Sequence, residues 1–82
     1  MDNNLSAVLK TYLTEFISQH KNHLNHLHSV CVEELERVLI ELVLKHTEGN
    51  QLKASKILGL NRGTLKRKIK AYKMEHILSK AS

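Results

Sequence analysis

Arg62, Thr64, Lys66, Arg67 and Lys70 crowd one stretch, LNRGTLKRKIKAY. On a helix, Thr64, Arg67 and Lys70 share an outward arc with Lys66 at its edge, while Leu65, Ile69 and Tyr72 fall on the opposite side at i, i+4 and i+7. The chemistry on offer is recognition of a polyanion. A guanidinium at Arg62 presents two parallel donors matched to the O6 and N7 acceptors of guanine, and a threonine hydroxyl can bond a base edge or touch a thymine methyl. An α-helix fits the major groove of B-DNA with its first residues nearest the bases. Lysines on the rim, and backbone N–H groups at helix starts capped by Asn50 and Asn61, suit phosphate oxygens. The plainer alternative is a helical hairpin with a solvated basic face. Two caps, a small-residue turn and concentrated charge in one stretch favour the first reading.

Other chemistries find little support. His20, His23, His26 and His28 gather between two helical stretches, and imidazole ligates metals well. No thiolate or carboxylate set accompanies them, and their spacing matches no common zinc pattern, so no metal site is expected. A pH-responsive cluster stays an alternative to a plain solvated linker. Cys31 is the sole cysteine, which excludes an intrachain disulfide and fits a reducing cytosol. Cys31 and His46 are the one thiol–imidazole candidate, and a helix between them holds them about four turns apart. With no Gly-rich phosphate loop and no nucleophile beside a base, no enzyme and no cofactor are expected.

The elements that must position the basic stretch follow from composition and period. The 82 residues allow one domain, and the absence of Pro with only three Gly favours long helices. Charge divides sharply. Residues 1–48 carry four Lys/Arg against seven Asp/Glu, a net of −3, and residues 49–82 carry nine against one, a net of +8. A basic rear on so small a chain points to a polyanionic partner. Leu5, Val8, Leu9, Tyr12, Leu13, Phe16 and Ile17 mark an amphipathic helix over about 4–19. A linker follows over 18–29, and a second helix over 30–47. That helix is apolar nearly all round: Leu35, Val38, Leu39 and Leu42 form one stripe, widened by Val32, Ile40, Val43 and Leu44. One short chain cannot cover it, so the expectation is an all-α fold of four helices whose two long N-terminal helices intertwine with a second copy. No membrane span is expected, since no apolar run approaches the ~20 residues required.

Gly49 is placed just past the second helix and Asn50 at the start of a third over 51–58, with Ala54, Ile57 and Leu58 facing inward. Ser55 and Gly59 provide a small residue and a sharp turn, Leu60 plugs the joint, and Asn61 caps the last helix. Lys68 is out of place, lying where such units carry an apolar residue. The division is thus 1–48 for pairing, 49–73 for a helix-turn-helix and 74–82 for a tail, within one structural domain.

The run GNQLKASKILGLNRGTLKRKIKAY resembles the C-terminal signature of the Fis family, the bacterial factors for inversion stimulation, which is shared with the C-terminal DNA-binding domains of NtrC-type activators. The likeness is tight over 49–72 and weaker through the first two helices. It implies a homodimer that presents two recognition helices to adjacent major grooves of double-stranded DNA, spaced so that the DNA bends. Carried over by position, Asn50, Asn61, Arg62, Thr64 and Arg67 are the expected groove and base-edge residues, and Lys53, Lys66, Lys68 and Lys70 the expected phosphate contacts.

The function expected is a sequence-tolerant DNA-binding and bending protein, acting as a transcriptional regulator and nucleoid organiser in a bacterial cytoplasm. A stand-alone NtrC-like output domain is the alternative. Four departures stand out, the first a His-rich linker over 18–29 that is longer than usual for the family. Barely four residues precede the first helix, so the N-terminal arm of enteric Fis is expected to be absent, which leaves recombinase or RNA polymerase contact open. Leu52 stands where a small polar residue is common. The tail runs past the usual family end, with Ile77 and Leu78 expected to extend the last helix against the core.

Overall fold

Periodic apolar residues and local caps decide where this chain coils into helices. The computed structural model describes residues 3–21 and 24–79 and shows an all-α chain: α1 Asn3–Gln19, α2 Leu27–His46, α3 Gln51–Leu58 and α4 Arg62–Ala71, followed by a 3-10 turn over Glu75–Ile77. His23 of the histidine group, the start of the chain and the tail beyond Ser79 lie outside the described residues.

α2 begins three residues before the point its apolar period suggests. The Ser29 hydroxyl donates to the His26 carbonyl at 3.0 Å, and the Val30 N–H reaches the same oxygen at 3.0 Å, so polar residues start the helix. The linker shrinks accordingly. His20 is drawn back onto α1, where its ring stacks on Phe16 with centroids 4.3 Å apart and its Nδ1 lies 2.9 Å from the Phe16 carbonyl. Among the described residues no group of His, Cys, Asp and Glu is arranged to hold a metal ion.

Ends are as well determined as starts. At the end of α2, Glu48 N–H bonds the Lys45 carbonyl and Gly49 N–H the Leu44 carbonyl. Lys73 and Met74 repeat the pattern on Lys70 and Ile69 after α4. Such paired bonds need a left-handed residue, supplied here by Glu48 and Lys73. α3 ends on Gly59, also left-handed, with the Leu60 N–H bonded to the Ser55 carbonyl at 3.0 Å.

The core lies between residues 40 and 78. Ile40, Leu44, Ala54, Leu65, Ile69 and Met74 are buried, ringed by Val43, Leu58, Leu60, Tyr72, Ile77 and Leu78. α2 packs on α3, α3 on α4, and α2 on the C-terminal turn. Two expectations are corrected. Ile57 does not face inward: it is exposed, and Ser55 takes the inner position beside Ala54. An aliphatic side chain there would keep α4 away, whereas Ser55 turns its hydroxyl back to the Leu52 carbonyl at 2.8 Å. Nor does the tail extend α4. The chain reverses at Lys73, buries Met74, and returns to donate from Ser79 N–H to the Gly49 carbonyl at 3.0 Å. Ile77 and Leu78 do reach the core, through this turn and not through a longer helix.

α2 consequently carries three faces. Ile40 and Leu44 enter the core. Glu34, Arg37, Glu41 and Lys45 form a solvent-side ladder of ion pairs, Lys45 to Glu41 at 3.1 Å and Arg37 to Glu41 at 3.7 Å, with Arg37 also on Glu34. Val32, Leu35, Val38, Leu39 and Leu42 make an exposed apolar arc away from the core. α1 likewise leaves Leu5, Val8, Tyr12 and Ile17 exposed.

Candidate nucleic-acid interface

The basic stretch is laid out by two side-chain caps. The Asn50 carboxamide oxygen accepts the Lys53 N–H at 3.1 Å, and that of Asn61 accepts the Gly63 N–H at 2.8 Å. Each satisfies one of the donors a helix start leaves open and turns the remaining N–H groups outward. Gly59 sets the angle between the helices: at φ 72 the left-handed turn favours glycine, while a Cβ there would touch nothing within 4 Å. Leu65 and Ile69 are fully buried, so the opposite arc of α4 must face solvent.

That arc holds the residues singled out from sequence. Arg62, Lys66, Arg67 and Lys70 are exposed, and Thr64 is half-buried at the edge of the core. Arg67 Nη2 donates to Thr64 Oγ1 at 3.3 Å, which lays the guanidinium along the first turn of α4. Among the described residues no acid pairs with Arg62, Lys53, Lys66 or Lys70. α4 therefore shows an open cationic surface beside a capped helix start. Lys53 adds to it from the outer face of α3.

Lys68 does not join that surface. Its Nζ lies 2.9 Å from each oxygen of Glu36 on α2, and the Tyr72 hydroxyl donates to the same carboxylate at 2.7 Å. The hydrogen bond from Lys68, and after it that from Tyr72, holds the Glu36 carboxyl below its ordinary value. The bond to Glu36, aided by partial burial, pushes the Tyr72 phenol up to about 12.

A pair of short capped helices, the second open and cationic, is a helix-turn-helix, and comparison assigns it. The family model for bacterial regulatory proteins of the Fis family matches residues 32–72, which takes in most of α2 and both short helices. The DNA-binding protein Fis of Aliivibrio fischeri (strain MJ11) is 39% identical over 71 residues, covering 87% of this chain and 69% of that protein. This chain belongs to the Fis family.

The Fis protein of Mannheimia haemolytica is 37% identical over the same length. The DNA-binding transcriptional regulator NtrC of Azospirillum brasilense is 44% identical over 68 residues, though these make up only 14% of it. No solved structure matches the chain. Fis-family membership makes the chain a regulatory protein rather than an enzyme. Sequence reasoning missed the Glu36 junction of this Fis-family fold. Lys68 at an inward position was the signal, because a lysine there needs an acid on the facing helix.

Proposed function

We propose that this Fis-family chain binds double-stranded DNA with α4 in the major groove. The observation that carries the reading is the open arc of Arg62, Thr64, Lys66, Arg67 and Lys70, held outward by buried Leu65 and Ile69 and joined by the capped helix starts. Arg62 lies at the first turn of α4, the end that meets base edges, and its fork suits guanine. Asn61, Thr64 and Arg67 complete the groove set, with Asn50 at the start of α3. Lys53, Lys66 and Lys70 sit on the flanks as phosphate contacts.

Two copies act together in this reading. The exposed apolar arc of α2 and the exposed stripe of α1 are together too large for water and suit a second copy of the same chain. Pairing sets two α4 helices at a fixed separation, and DNA bends to meet both, so part of the preference comes from deformability and not from contacts. Such binding suits a regulator and nucleoid organiser in a bacterial cytoplasm. Among the described residues no helix is long and apolar enough to cross a membrane. The likeness to NtrC supports a second reading, in which the same unit serves as an activator's output domain. Mapping bound sites across a genome separates the two: scattered A/T-centred sites that bend strongly favour the first, and a few tandem sites upstream of promoters the second. DNA binding itself is tested by fluorescence anisotropy on labelled duplexes across a salt series. Affinity that falls steeply with salt is expected, and salt-independent or absent binding refutes the reading.

A further inference from the structure

Burial of Leu65 and Ile69 holds α4 to the core without directional bonds. Such packing sets which arc of α4 faces out, yet it carries no bond of fixed direction and length. The Glu36 junction supplies what packing lacks. Lys68 on α4 and Tyr72, the residue that caps its end, stand one turn apart and both end on one carboxylate of α2, at 2.9 and 2.7 Å. Rotation of α4 about its own axis would break one bond or both. The same rotation would swing Arg62 and Arg67 across the groove. α2 in turn carries the exposed apolar arc on the side away from the core.

We propose that Glu36 is a positioning residue, which fixes the rotation of α4 on α2 through Lys68 and Tyr72, and that Lys68 is bound to Glu36 and not to a DNA phosphate. The proposal rests on the DNA-binding reading above. It removes Lys68 from the phosphate set that family resemblance assigns, and it gives α2 a share in selecting how far apart two half-sites lie.

The test uses the full chain and duplexes whose half-site spacing is varied by single base pairs, with salt slopes recorded for wild type, Lys68→Met, Glu36→Gln and Tyr72→Phe. A phosphate-binding lysine contributes about one to the slope of log affinity against log salt. Lys68→Met is expected to leave that slope at the wild-type value. Glu36→Gln and Tyr72→Phe are expected to lose about three- to tenfold in discrimination between the best spacing and its neighbours, the order of one hydrogen bond. A slope reduced by about one in Lys68→Met overturns the assignment of Lys68, and wild-type discrimination in both other variants overturns the positioning role. Should single variants unfold by circular dichroism, the double variant Glu36→Met with Lys68→Met replaces the ion pair by apolar groups and keeps the packing. It is expected to show the wild-type slope with discrimination lost, and wild-type discrimination there refutes the proposal. A wild-type chain that shows no salt-dependent binding to any duplex refutes the underlying DNA reading instead.

Discussion

At the scale of single residues, neighbours on α4 offer different chemistry. Arg62 offers a planar fork at the first turn, and Lys66 a single charge one turn later. Replacing Arg62 by Ala is expected to cost about 1–3 kcal/mol, concentrated at one base position, as read from a panel of sites altered one base pair at a time. Loss spread evenly over the panel would mean that Arg62 touches only the backbone. Lys66→Ala is expected to weaken all sequences alike and to lower the salt slope by about one. An unchanged slope removes Lys66 from the phosphate contacts. That these two side chains face outward was legible from the sequence, because the buried stripe of α4 follows from its own period. Lys68 was not, since its meaning depends on Glu36, a residue of another helix that only the folded chain brings within 2.9 Å.

At the scale of elements, starts and ends behave differently. The starts of α3 and α4 were written locally in Asn50 and Asn61, and both cap as their residue types suggest. The end of α2 was read at Gly49, yet the left-handed turn begins at Glu48, and Gly49 has a second duty. A Cβ on Gly49 would collide with the backbone of Ile77, Leu78 and Ser79, so the returning tail requires a glycine there. Gly59 shares the positive φ but faces open space. Gly49→Ala is therefore expected to destabilise the fold by clearly more than the ~1–2 kcal/mol of left-handed strain that Gly59→Ala should show. Equal costs by thermal denaturation would deny the tail its place. Ile57 was misread because a two-turn helix fits two adjacent stripes, and only packing of α4 against Ala54 and Ser55 decides between them.

The Glu36 junction also makes a prediction in pH. Glu36 titrates below its ordinary value, so its contribution is complete above about 4.5 and is lost as pH falls through the lowered value. Tyr72 is raised, so its share is complete below 10 and is lost as pH climbs toward about 12. Unfolding midpoints of wild type and Tyr72→Phe are expected to differ by a margin that is constant near neutrality and shrinks above pH 10. A margin independent of alkaline pH would mean that the hydroxyl does not bond Glu36 in solution.

At the scale of the whole molecule, the excess of positive charge and the exposed apolar surface fall on different elements. The core runs from Ile40 to the tail and supports the helix-turn-helix, while α1 and the outer arc of α2 leave Leu5, Val8, Leu35, Leu39 and Leu42 in water. All-α architecture with four helices was evident from periodicity, and so was the excess of apolar surface on α2. How that surface is shared was not, because the wheel of α2 cannot say which stripe meets α3 and the C-terminal turn. The structure assigns Ile40 and Leu44 to the chain's own core and leaves Leu42 exposed, at 58%. In the proposed pairing, two copies join through this surface and read DNA together. Sedimentation of wild type and Leu42→Asp with a labelled duplex tests it most directly. Two wild-type chains per duplex are expected, and for Leu42→Asp a single chain with α3 and α4 still folded and far weaker binding. One wild-type chain per duplex, or a Leu42→Asp variant that sediments and binds as wild type does, would contradict it.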